Sequence, residues 1–204
     1  MKKEIIYLGL FLIGLIVSSI HAQDSFTWFL EVCPALIGLL ILIASYRRFS
    51  LTQLSYVFIL IHCYVLFIGG HYTYAAVPLF DWIKEIAHQS RNNYDKVGHF
   101  AQGFVPALII REVLIRQQIV AQKNWLPVFV VSMCISISVL YEFLEWFVAV
   151  QSGQSADAFL GTQGYVWDTQ SDMLMACIGA ISMLLLLSKA QDKAIQKHIT
   201  AKNG

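Results

Sequence analysis

Charge is what this chain has least of. Only 13% of its 204 residues are Asp, Glu, Lys or Arg, against about 25% in an ordinary soluble domain. Hydrophobic residues make up 57%, and the mean hydropathy is +0.62. A water-soluble fold of this length has too little interior to hide so much apolar surface, so lipid must be the solvent for much of the chain. A net charge of +1, with no basic face and no RNA-binding signature, excludes a nucleic-acid partner. Also missing are an HExxH zinc motif, a GxSxG elbow, a Walker A loop and a Rossmann fingerprint. The four cysteines, Cys33, Cys63, Cys134 and Cys177, lie inside apolar runs without CxxC spacing. That removes a disulfide framework and leaves them as small membrane-buried hydrophobes. Repeats and low-complexity tracts are absent, and the chain reads as a single domain.

Long apolar runs are present in number. A spanning helix needs about 20 mostly apolar residues, and six stretches qualify: 4–21, 27–46, 52–72, 97–116, 125–149 and 169–188. The expected fold is therefore all-α, a polytopic membrane helical bundle of about six transmembrane helices over residues 1–188. The stretch 77–87 is too short to span and suits an interfacial helix, with Trp82 as anchor and Asp81, Lys84 and Glu85 facing water. Residues 189–204 read as a polar, lysine-rich cytoplasmic tail with a short frayed helical extension. The first run also fits a signal peptide, with Lys2 and Lys3 ahead of it and Ser-Ile-His-Ala before Gln23. Its apolar length and the spans that follow favour retention.

Orientation follows from basic residues. Eleven of the fourteen lysines and arginines, from Lys2, Lys3, Arg47 and Arg48 through Arg111, Arg116 and Lys123 to the C-terminal lysines, fall on one side of the expected bundle. The remaining three, Lys84, Arg91 and Lys96, share one loop region on the other side. The lysine-rich side is expected to be cytoplasmic, with both termini there, in a bacterial inner membrane. All five tryptophans fall near expected helix ends, as an aromatic belt would place them.

The acids show the opposite bias: only Glu4, Glu112 and Asp192 of the thirteen fall on the cytoplasmic side. At the outer ends of three helices they recur at helical spacing. Asp95, His99 and Gln102 form a stripe on the fourth, Glu142 and Glu145 lie one turn apart on the fifth, and Asp168 and Asp172 open the sixth. His99, Glu142 and Asp172 each lie about 6 Å below the helix end. Charges in the membrane interior cost about 2.5–3.5 kcal/mol each at mid-depth, so several at one level need a shared reason. One reason is a satisfied polar network in which Lys96 and His99 pair with the carboxylates. Another is a divalent metal neutralising a carboxylate surplus, held by Asp95, His99, Glu142, Glu145, Asp168 and Asp172, with His71 as a further candidate. A third assigns catalytic roles to His99, Glu142 and Asp172 acting on a lipid-linked or cell-envelope substrate. Small-solute transport ranks last, because the inner halves of the helices offer few polar groups. His62 reads as a hydrogen-bonded core residue, and His21, His88 and His198 as loop or tail residues.

The chain resembles the YjdF family of bacterial inner-membrane proteins over nearly its whole length. The resemblance rests on Gly69-Gly70-His71-Tyr72-Thr73-Tyr74, Tyr94-Asp95-Lys96-Val97-Gly98-His99-Phe100, Tyr141-Glu142 through Glu145-Trp146, and the Asp157-to-Asp172 stretch with Gly161-Thr162-Gln163-Gly164. It implies an inner-membrane location and membrane lipid as a partner, and implies no particular reaction. A looser similarity over about half the chain runs to VanZ-like membrane proteins, through Asp95-Lys96-x-x-His99-Phe100 and through Asp168, Asp172 and Gly179. The Asn usual in that last helix would fall at Ala176, so any role needing an amide there does not carry over.

Overall fold

The computed structural model describes residues 2–152 and 163–203. Asp157, Gly161 and Thr162 of the resembling stretch lie outside the described residues. Among these residues the fold is entirely helical: α1 (Lys2–Ser19), α2 (Ser25–Ser45), α3 (Gln53–His71), the short α4 (Pro78–Ile86), α5 (Tyr94–Arg116), α6 (Leu126–Ser152) and α7 (Asp168–Asn203). A 3-10 turn, Lys123–Trp125, leads into α6. Several starts are written locally. Asp24 accepts from Thr27 N at 2.6 Å to cap α2, Thr52 caps α3 through Ser55 N, and Pro78 opens α4 where no backbone donor is needed.

Five helices, α2, α3, α5, α6 and α7, are long and apolar enough to cross a membrane. Their lipid-facing sides carry residues such as Ile41, Leu140, Phe143 and Leu185 in the open. The protein is a multi-pass membrane bundle. The expected sixth span, α1, has 18 residues, three of them charged (Lys2, Lys3 and Glu4), so it is not among these five. It packs on α3, with Phe11 edge-on to Phe67 and Tyr64 donating to the Leu10 carbonyl at 2.9 Å.

α5 is the axis, packing on α3, α6 and α7. Its contact with α7 is the closest in the molecule. A Cβ on Gly103 would lie 1.8 Å from the Ala176 carbonyl oxygen, and one on Gly179 would lie 2.1 Å from that of Phe100. Small residues let membrane helices meet backbone to backbone, where van der Waals contact rather than the hydrophobic effect holds them. Below this contact Ala107, Leu108, Val130, Cys134, Ala180 and Met183 form a fully buried apolar layer across α5, α6 and α7.

Most boundaries differ from the sequence reading by one to three residues, and two of the differences have a visible cause. α5 starts at Tyr94 rather than residue 97 because Asn92 accepts from Tyr94 N at 3.2 Å, and Asp95 suits the positive end of the helix. α7 does not fray after residue 188. It continues to Asn203, a length of about 54 Å against a hydrocarbon core of about 30 Å. The cause is tertiary: Gln191 is buried, donating to the Leu108 carbonyl at 2.6 Å and accepting from Arg111 at 2.9 Å.

Candidate functional site

The carboxylates predicted on α5, α6 and α7 do converge, at the end of the bundle where α5 and α7 begin. They divide into three arrangements with different electrostatics.

The first is a salt-bridged knot. Arg91, in the loop before α5, pairs with both Asp95 and Asp168. Lys96 lies 2.7 Å from Asp172, 3.2 Å from Asp168 and 3.8 Å from Asp95, and donates to Ser171 Oγ at 2.5 Å. Burial works against the Arg91 charge, but the hydrogen bond it donates to Asp168 and the charges of Asp95, Asp168 and Asp172 outweigh it and hold the guanidinium above its ordinary pKa. Asn92 ties the same loop to its surroundings: its side chain donates to the Val77 carbonyl and to Asp81, both at 3.0 Å, while Gln163 donates to its carbonyl at 2.8 Å. Three aspartates thus face two permanent cations. The sequence reading gave these carboxylates only Lys96 and a protonated histidine as partners. That is corrected by Arg91, which sat in a loop and was read only as a topology marker.

The second arrangement is the trio His99, Glu142 and Asp172, one residue from each of α5, α6 and α7, whose donor atoms lie within 4.8 Å of one another. His99 Nδ1 is 3.1 Å from Gln102 Oε1, one turn on. An amide oxygen only accepts, so Nδ1 carries the proton and the lone pair belongs to Nε2. That lone pair faces Asp172 Oδ2 at 3.8 Å. On the other side Glu142 Oε1 stands 3.9 Å from Nδ1 and is buried with no hydrogen-bond partner among the described residues. Thr169 is the neutral neighbour of the Glu142 carboxylate.

The third arrangement is a cavity of about 210 Å³ between α2, α3, α5 and α6. Glu31 of α2 and Glu145 of α6 line it, only 4% and 7% exposed. Tyr141 and Tyr74 are the hydroxyl neighbours of Glu31. Tyr74 is held unusually: it and Thr73 both adopt left-handed backbone, with φ of 55° and 56°, which costs energy for residues with a Cβ. Its ring fills space that exists only because residues 69 and 98 are glycines, since a Cβ at Gly69 would lie 2.1 Å from it and one at Gly98 2.9 Å. The Gly69-to-Tyr74 and Gly98 segments that carried the family resemblance are therefore a socket for one aromatic ring. Pro34 and Pro106, each interrupting a helix, also line the cavity.

Asp95, His99, Glu142, Asp168 and Asp172 are brought together. Glu145 is not with them; it turns into the cavity, one helical turn from Glu142. His71 is elsewhere, donating from Nδ1 to the Ser18 carbonyl at 2.9 Å and tying α3 to α1. The sequence reading missed Glu31, Tyr74, Tyr141 and Arg91 as site residues. Glu31 had a usable signal: it is an ionisable residue well inside the most apolar of the runs, a position that by default marks function. Tyr141 had none, since a tyrosine in a membrane helix is ordinary.

The comparisons with known proteins agree with this architecture. Over 183 residues the chain is 44% identical to the inner membrane protein YjdF of Escherichia coli (strain K12), covering 90% of this chain and 88% of that protein. No solved structure matches it. The family model described as predicted membrane protein (DUF2238) matches residues 4–193, and the chain belongs to that family.

Proposed function

We propose that this is an inner-membrane protein whose acidic end faces outward and holds a divalent cation through His99, Glu142 and Asp172. One observation carries the reading: a buried Glu142 oxygen with no hydrogen-bond partner among the described residues stands beside a histidine whose free lone pair faces another carboxylate. Buried acceptors turned on one another are costly unless a cation or proton lies between them. Ligands on a tetrahedral zinc-type ion sit roughly 3.3–3.6 Å apart, so the 3.8 Å gap between Nε2 and Asp172 closes with a small side-chain rotation, while Glu142, 3.9 Å from Nδ1, must swing round the ring edge to join them. Gln102, bonded to the other ring nitrogen, would fix the tautomer as outer partners of metal-bound histidines do.

Three protein donors leave a fourth position for water or substrate, which is the pattern of reactive rather than structural metal sites. The depth of the trio suits a lipid-linked or cell-envelope substrate. Eleven of the fourteen basic residues at the opposite end support the orientation, and the name of the E. coli relative supports the location. The network reading keeps a place for one half of the cluster: Arg91 and Lys96 favour Asp95 and Asp168 as architectural rather than metal-ligating.

Metal analysis of detergent-purified protein tests this, set against a His99→Ala/Glu142→Gln double variant. About one equivalent of a divalent metal in the parent and little in the variant is expected. Equal, near-zero metal in both removes the reading. Phosphatase fusions at residues 90 and 120 test the orientation: activity is expected at 90 alone, and activity at 120 reverses it.

A further inference from the structure

The cavity between α2, α3, α5 and α6 borders the metal trio, sharing His99 and Gln102 as wall residues, but its two glutamates are not members of that trio. Glu31 and Glu145 line it from opposite helices. No hydrogen bond or ion pair to the Glu145 side chain occurs among the described residues, and no Lys or Arg nitrogen lies within 4.0 Å of either acid. Asp95 reaches the cavity edge, but its charge is already matched by Arg91 and Lys96. Both glutamates are nine-tenths buried with no lysine or arginine beside them, so they are charged only when a cation stands in the space they face.

The walls set what kind of cation would suit this space. Neither glutamate belongs to a set of three His, Cys, Asp or Glu donors within 4.8 Å among the described residues, so a bare metal ion would be poorly held. The rings of Tyr74 and Tyr141 are among its other walls, with His62, His99 and Gln102 as further polar groups and Leu66 and Ile137 as apolar ones. Aromatic faces beside carboxylates, at wider spacing than a metal needs, suit a bulky and weakly hydrated cation.

Size and access narrow the ligand further. A cavity of about 210 Å³ is smaller than the roughly 300–1,000 Å³ that encloses a whole drug-sized molecule. It holds a head group and leaves a tail outside. α2 packs on α3 while α6 packs on α5 and α7, and α2 and α6 make at most marginal contact with each other. The front of the cavity therefore lies between two helices that do not close on one another, and Ile137 on that side is exposed.

We propose that this cavity binds the ammonium head group of an amphiphilic amine, entering sideways between α2 and α6 with its apolar tail left in the lipid. Glu31 and Glu145 neutralise the head group, and Tyr74 and Tyr141 face it. The inference does not rest on the metal reading.

Hexyltrimethylammonium, with hexyl glucoside and hexyl sulfate as neutral and anionic counterparts, tests it on the full chain in nanodiscs. The readout is thermal unfolding against ligand concentration, with and without a chelator. A saturable rise in Tm is expected for the ammonium alone, unchanged by chelation, and the apparent Kd should rise at least tenfold in Glu31→Gln and in Glu145→Gln. Equal responses to hexyl glucoside, no saturable response, or unaltered affinity in both variants overturns it. If the variants do not fold, a diazirine-bearing hexyltrimethylammonium is crosslinked to the unaltered protein. Labelling of α2 and α6 around Glu31 and Glu145 supports the site, and labelling elsewhere overturns it. Loss of the chelator-sensitive metal without loss of ammonium binding would separate failure of the metal reading from failure of this one.

Discussion

Two buried carboxylates at opposite ends of the bundle are treated in opposite ways. Glu112, near the lysine-rich end of α5, is fully buried and saturated. It accepts from Thr52 N at 2.8 Å, Thr52 Oγ1 at 2.9 Å, Ser55 Oγ at 2.6 Å and Arg116 at 2.6 Å. Glu142, 7% exposed at the acidic end, keeps one oxygen with no hydrogen-bond partner among the described residues. Both are glutamates on membrane helices. Glu112 is part of the architecture, because a buried charge retained for folding has its lone pairs filled. Glu142 carries a cost that folding alone does not explain. The apolar layer of Ala107, Leu108, Val130, Cys134, Ala180 and Met183 separates the two ends within α5, α6 and α7.

The sharpest way to break this comparison is to remove each carboxylate. Glu112→Ala strands Arg116 and the α3 cap, and should cost about 3–5 kcal/mol in thermal or denaturant unfolding in detergent. Glu142→Gln removes an unsatisfied charge and should leave stability unchanged or slightly raised. Similar losses for both would show that Glu142 is as architectural as Glu112. Gly103→Ala comes next. A methyl group where the Ala176 carbonyl stands should push α5 and α7 apart at a cost of about 1–3 kcal/mol. Because His99 and Asp172 ride on those two helices, bound metal should fall with it; an unchanged Tm would mean the contact is slack.

An exposed acid sets the lower end of the scale. Asp24→Ala, at the cap of α2, should cost about 1 kcal/mol. The backbone hydrogen bond from Thr27 holds the Asp24 pKa below its ordinary 3.8. A lowered folded-state pKa means its contribution is present above pH 3.8 and is lost as pH falls through the folded value. Unfolding curves of parent and variant should therefore converge in strong acid. A gap that persists there would assign the effect to something other than the carboxylate.

Much of the site was legible because its parts have local signatures. Asp95 with His99, Glu142 with Glu145, and Asp168 with Asp172 each repeat at helical spacing, and orientation by basic residues put all three helix ends together. What spacing could not tell was which acid faces which neighbour. Glu142 and Glu145 look equivalent at i and i+3, yet one joins the histidine and the other lines a cavity with Glu31. Arg91 gave no sign of its role, since a loop arginine becomes the partner of Asp95 and Asp168 only when α7 is packed beside α5. Gln191 likewise looked like part of a soluble tail until Arg111 and the Leu108 carbonyl came beside it.

The sequence by itself determined the solvent and the secondary structure. Apolar runs long enough to span lipid can satisfy their backbone only as helices, and this holds whatever the neighbours are. The allocation of charge was decided by tertiary structure. Close approach at Gly103 and Gly179 brings α5 and α7 together, and the Gly69 and Gly98 socket seats Tyr74. Which carboxylates are neutralised and which are left facing a space depends on distances between helices, and those distances are set by packing.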